Sequence, residues 1–267
     1  MREKGFFCLK IGLTLGSLLV ATIAKSNIDW NNLKNNYIDL ILAKEMFYDL
    51  AIGIFSAMVL VWFIDEINER ISKRKSQEKE KAEIERFDKV LQCYIDQYTT
   101  FFYCVATPLE SRDFRAVAMP KNFTLKDMRD LHRTSLLVNQ KITRGSVESF
   151  LQIELDLRRE IISIIERYDF NYYPKFIDIF LNFVQASLEY DCRSAILAPA
   201  ALNLGDKSWE DSVRELLDNK ADEYYNRIKQ GEELGGTIVH PYMFLYDMMN
   251  AERNLIEKYQ EEIKNLG

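Results

Sequence analysis

Between Gly53 and Pro108 the chain has neither glycine nor proline. Glycine loosens a helix interior and proline breaks it, so nothing across residues 54–107 interrupts a helix that begins upstream. Histidine is scarce as well: His132 and His240 are the only two, which leaves little of the commonest general acid, base and metal ligand. The four cysteines, Cys8, Cys93, Cys104 and Cys192, form no CxxC pair. That spacing excludes a local zinc or redox motif and fits small apolar side chains in a reducing compartment. Cys93 and Cys104, three helical turns apart, are expected to share a face. No HExxH, GxSxG, P-loop or GxGxxG occurs. No segment alternates with period two, so strands are not expected. Positive charge is in deficit. Residues 106–267 carry 21 basic against 27 acidic side chains, the whole of the net charge of −6. Such a body lacks the basic footprint of a nucleic-acid binder. A mean hydropathy of −0.22 excludes a polytopic transporter.

Two apolar stretches stand out near the N-terminus, residues 6–24 and 47–64. Each approaches the roughly 20 residues that cross a bilayer. Each holds one charge near an end, Lys10 and Asp49, and Lys10 is expected to snorkel to the headgroups. Arg70, Lys73, Arg74 and Lys75 follow the second stretch and Arg2 and Lys4 precede the first. The bias of basic residues towards the cytoplasmic side then predicts two spans with both termini inside. The loop between them carries Trp30 and Tyr37, placed for the outer interface. A cleaved signal peptide is the alternative for the first stretch. Gly12 and Gly16 make a GxxxG, and Gly53 and Ala57 repeat the small-xxx-small spacing. Small residues let helix backbones approach closely in lipid, either within the hairpin or between copies in a homo-oligomer. Besides marking topology, the basic cluster at residues 70–75 is placed to hold anionic headgroups.

The second stretch leads into a charged neck, SKRKSQEKEK at residues 72–81, helical through i,i+4 pairs yet packing on little. Apolar residues then recur as Ile84, Phe87, Leu91, Tyr94, Tyr98, Phe101 and Val105. Val90, Ile95 and Phe102 widen the stripe, which fits a bundle core better than a coiled-coil seam. Four further helices are expected: residues 124–138, capped by Thr124 and Asp127; 146–168; 174–197, opened by Pro174; and 208–230, capped by Ser208 and Asp211. A last helix runs from Pro241 to about residue 266. The organisation expected is a transmembrane hairpin (1–65), a charged helical neck (66–83) and a cytosolic helical bundle (84–267), all-α throughout.

Chemistry is sparse. Arg129 and His132 are separated by two residues, too few for the Arg-x4–6-His arrangement of helical RNases of the HEPN type. Glu154, Asp156 and Glu160 read as a solvated helix face. The turn YDFNYYPKF at residues 168–176 reads as aromatic packing around Pro174. No catalytic constellation, cofactor or metal site assembles, and the chain is not expected to be an enzyme.

The layout of short N-terminus, tight hairpin and DLAIGIFSAMVLVWFIDEINER (residues 49–70) entering a helical body resembles the small two-span membrane effectors of bacterial anti-phage systems, including those linked to retrons. The resemblance implies a toxin-like effector of the inner membrane, held silent by a cytosolic protein or ribonucleoprotein and released on infection. The alternative is a membrane-anchored adaptor whose hairpin tethers and whose acidic bundle recruits a soluble partner.

Overall fold

The computed structural model describes residues 2–25, 40–134, 144–197, 208–232 and 239–266. The loop with Trp30 and Tyr37 lies outside these residues. Among the described residues all regular structure is helical and no strand is present. The helices are α1 (Arg2–Lys25), α2 (Leu40–Ala106), α3 (Ser146–Arg167), α4 (Pro174–Glu189), α5 (Arg193–Leu197), α6 (Trp209–Asn219), α7 (Ala221–Lys229) and α8 (His240–Leu266). Two compact units divide the chain, Met1–Glu78 and Lys79–Gly267, and α2 belongs to both.

In the first unit, α2 is long and apolar enough to cross a membrane by length and composition. Among the described residues of α1, Lys10–Ile23 is apolar. Lys10 bonds Asp65, and Lys25 lies over the Tyr48 ring at 5.8 Å. Ser17, Ala21 and Ala51 are buried, while the large apolar side chains around them are exposed.

In the second unit the C-terminal part of α2 is a core element. Ile84, Phe87, Leu91, Ile95, Tyr98, Phe102 and Val105 are buried, whereas Tyr94 and Phe101 are half-buried and Val90 is exposed. Residues 102–106 are all buried, so the end of the helix packs on several neighbours rather than along one twisted seam. Tyr98 lies within 5.2–6.4 Å of the rings of Phe102, Phe150 and Phe183. Each fully buried Phe contributes on the order of 2–3 kcal/mol. α4 packs on α8 and α3, and α6 on the turn at Lys126–Asp130. The guanidinium of Arg112 donates to the carbonyls of Cys104 and Thr107, satisfying orphan acceptors where α2 ends.

Three expected helices are altered. The one at 124–138 is a single 3-10 turn, Lys126–Asp130, and its last residues lie outside the described set. Asp127 does accept from Thr124 N and Oγ1. However, Asp130 is engaged by Leu109 N and Arg214, and Thr134 bridges to Gly145, so the chain leaves the helix. The bridge needs close approach: a Cβ on Gly145 would stand 2.9 Å from the His132 carbonyl. The helix expected at 174–197 breaks at residues 190–192, where the Asp191 carboxylate accepts from Arg193 N and starts α5. The helix expected at 208–230 divides at Lys220, although Ser208 caps its start by accepting from Asp211 N.

The neck is also more engaged than expected at its lower end. Glu80 is buried and accepts from Tyr172 N and Tyr173 N at 3.0 Å, just before Pro174. The aromatic turn packs as expected, with Tyr168 and Phe170 against Phe87. Glu80→Ala removes the shared acceptor of two backbone donors and is expected to destabilise the protein by about 1–3 kcal/mol. Thermal unfolding of the full chain in detergent measures it, and an unchanged midpoint would refute the role given to Glu80.

Candidate functional site

Two regions carry features that generic packing does not require. One is the exposed apolar surface of α1 and α2. Gly12, Gly16, Gly53 and Ala57 are all exposed, and a Cβ at any of the three glycines would meet nothing within 4 Å. At 100° per residue, Gly12 and Gly16 lie roughly 140° around α1 from Ser17 and Ala21. The small residues buried in this unit are thus a different set from the GxxxG pair. Below them, Arg70 holds Glu66 at 2.8 Å and Lys73 holds Glu69 at 2.7 Å. Arg74 and Lys75 are exposed.

The partner of Lys10 is Asp65, 55 residues away. Reading Lys10 only as a snorkelling side chain missed it. In an antiparallel pairing of the two apolar stretches, a charge near the start of the first falls beside one just past the end of the second.

The other region is a polar cluster inside the second unit. Glu154 on α3 and Glu252 on α8 are both 0 % exposed. The Glu154 carboxylate is held by Arg193 of α5 and accepts from Ser187 Oγ of α4. Arg158 donates to the same hydroxyl at 3.0 Å. Glu252 Oε2 accepts from Tyr98 OH of α2 at 2.7 Å, and its Oε1 has no hydrogen-bond partner. Burial raises the Glu252 carboxyl to about 8, against the Tyr98 hydrogen bond and the charges of Arg193 and Arg158, which pull it down. Tyr98 is itself raised by burial and by Glu252. Five helices therefore meet on two carboxylates, a tyrosine, a serine and two guanidiniums.

Glu154 corrects the solvated-face reading. Phe150, Glu154, Leu157, Ile161 and Ile164 are all buried at alternating spacings of four and three, so Glu154 fills a core slot. Leu245, Met249, Glu252, Ile256 and Tyr259 repeat this on α8. A charged residue exactly in phase with an apolar stripe was the available signal.

The remaining polar residues do structural work. His132 bonds Tyr242 OH at 2.9 Å, and burial lowers it to about 4. Arg129 pairs with Glu110, so it is not directed at His132. Cys104 and Cys192 are buried, and burial lifts the Cys192 thiol to about 12, far from a reactive thiolate. Cys93 is exposed and does not share the environment of Cys104, because α2 is enclosed on all sides near its end. Among the described residues no three His, Cys, Asp or Glu converge as metal ligands. Comparison with known protein families, curated proteins and solved structures finds no match to this chain.

The polar cluster sets a pH dependence. Between 4.5 and about 8 the folded chain keeps a proton on Glu252 that the unfolded chain has released, so this group's contribution falls as pH rises through that window. Glu252→Gln stays neutral and keeps an acceptor for Tyr98. Its stability relative to the parent is expected to increase from pH 5 to 8, read by denaturant midpoints. Parallel profiles would contradict it. His132 acts oppositely, losing stability as pH falls from 6.5 to about 4, so the comparison must be between variants at each pH. Arg193→Met strands the Glu154 charge and is expected to cost about 3–5 kcal/mol, with much of it recovered when Glu154→Leu is added. Additive losses in that double variant would argue against the pairing.

Proposed function

We propose that this protein is a membrane-embedded effector that perturbs the bacterial inner membrane when its helical body is released or clustered, as in anti-phage abortive infection. The observation that carries this reading is α2 itself. One helix runs from Leu40 to Ala106, exposed and apolar at its start and built into a buried core at its end. The apolar segment and the body thus share one helix, the element through which release or clustering of the body would act.

On this reading α1 and the first part of α2 form a two-span hairpin with both termini cytoplasmic. The Lys10–Asp65 pair and the Lys25–Tyr48 contact support it, because they place the beginning of one stretch beside the end of the other. Pairing Lys10 with Asp65 lowers the cost of a charge near the start of the first span. The basic residues 70–75 hold the junction on the cytoplasmic side. The free small-residue faces at Gly12–Gly16 and Gly53–Ala57 leave room for copies to associate in lipid. The acidic body is the surface for a silencing cytosolic protein or ribonucleoprotein. No catalytic step is required, so the protein acts as a membrane device rather than an enzyme.

Overexpression is expected to depolarise cells, and Gly12→Leu with Gly16→Leu to blunt the effect, read with a potential-sensitive dye. Normal potential at high expression, with the trigger supplied, would falsify the effector reading. Replacing the hairpin by an unrelated two-span anchor separates the alternatives: an adaptor keeps its function after the exchange and an effector loses it.

A further inference from the structure

We infer that a second copy of this chain packs in parallel along the outward face of α2, on a seam that continues beyond the membrane to Ile71. The inference rests on the membrane reading for its orientation. Starting at Met46, the positions Leu50, Gly53 and Ala57 recur at spacings of four, three and four. Leu60, Ile64, Ile67 and Ile71 continue the same alternation without a slip. This is the 3.5-residue repeat of a helix pair, held over 26 residues. Every position on it is exposed. At 100° per residue the seam faces away from Tyr48, Ala51 and Asp65, the α2 residues that meet α1 or are buried beside it. It remains open after the two N-terminal helices have made their contacts.

Lipid could cover the first part of the seam but not its end. Asp65 and Glu66 mark where charge begins, and Ile71 lies six residues, about 9 Å, further on. Ile67 and Ile71 are 53 % and 46 % exposed, set among Glu66, Glu69 and Arg70. Beyond the hydrocarbon, water drives such side chains towards an apolar partner, a force absent within the bilayer. The partner that offers the matching row is the same helix. Copies inserted with one topology are parallel, so Ile67 meets Ile67 and Ile71 meets Ile71. The next two seam positions are Arg74 and Glu78. In the same register Arg74 meets Arg74 and Glu78 meets Glu78, so like charges end the apolar seam at Ile71, offset in part by Arg74 one layer from Glu78 of the other copy. Arg70 and Lys73 are meanwhile held by Glu66 and Glu69 on their own chain. Gly53 and Ala57 allow the closest approach inside the membrane, and the isoleucines supply the apolar contact outside it.

Disulfide cross-linking of the full chain in native membranes tests this, with Cys8 and Cys93 replaced by Ser. Ile67→Cys and Ile71→Cys are expected to give covalent dimers under mild oxidation, and Glu69→Cys, on the opposite face, to give few. Adding Ile67→Lys and Ile71→Lys to a Leu60→Cys reporter is expected to reduce its cross-linking about tenfold or more, with the melting of the body unchanged. Equal cross-linking at 67, 69 and 71, or none at any of them, would overturn the seam. Seam cross-links in cells that keep their potential at high expression, with the trigger supplied, would sink the effector reading and support the seam. Depolarisation without seam cross-links would do the reverse.

Discussion

The constraint on which the rest depends is the continuity of the backbone hydrogen-bond ladder through α2. A helix satisfies its own polar groups in any solvent, so one element can be apolar and exposed near Phe47 and Phe63, charged and solvated from residue 66 to 79, and walled in by aromatic rings from Ile84. Only the side chains change along its length. A single glycine or proline in the neck would have allowed a bend, and the sequence places none there. Glu80 then fixes the first turn of the body to the backbone at Tyr172 and Tyr173, so the change from solvated to buried occurs within one helical turn.

The interior of the body is organised around charge as much as around aromatic packing. Glu154 and Glu252 occupy positions where an apolar residue of similar size would have served, and a buried carboxyl in such a place is seldom a net gain in stability. It restricts how the surrounding helices can fit. α5 has five residues and little apolar surface of its own, and Arg193 ties it to α3. Tyr98 ties α2 to α8. A repacking that slid either helix by one turn would bury a carboxylate without its donor.

Much of the architecture was legible in the sequence because it follows from periodicity. The absence of breakers after Gly53 gave the long helix, Pro174 and Pro241 marked helix starts, and Ser208 with Asp211 gave a cap. The failures have physical causes that act at a distance. The helix expected at 124–138 gave way because Asp130 is claimed by Leu109 N and Arg214, 21 and 84 residues away. Glu154 was misread because its partners lie on α4 and α5. Asp65 escaped notice as the partner of Lys10 because 55 residues separate them. Local propensity carries no information about such meetings, although a charged residue in phase with an apolar stripe is a local sign that one exists.

The distance between Lys10 and Asp65 has a consequence for biosynthesis. At about 5–20 residues per second, Lys10 is made roughly 3–11 s before Asp65, 55 residues later. During that interval the Lys10 side chain exists without the Asp65 carboxylate it later bonds. The Lys10–Asp65 contact between α1 and α2 is therefore a late event, completed only after residue 65 has been made.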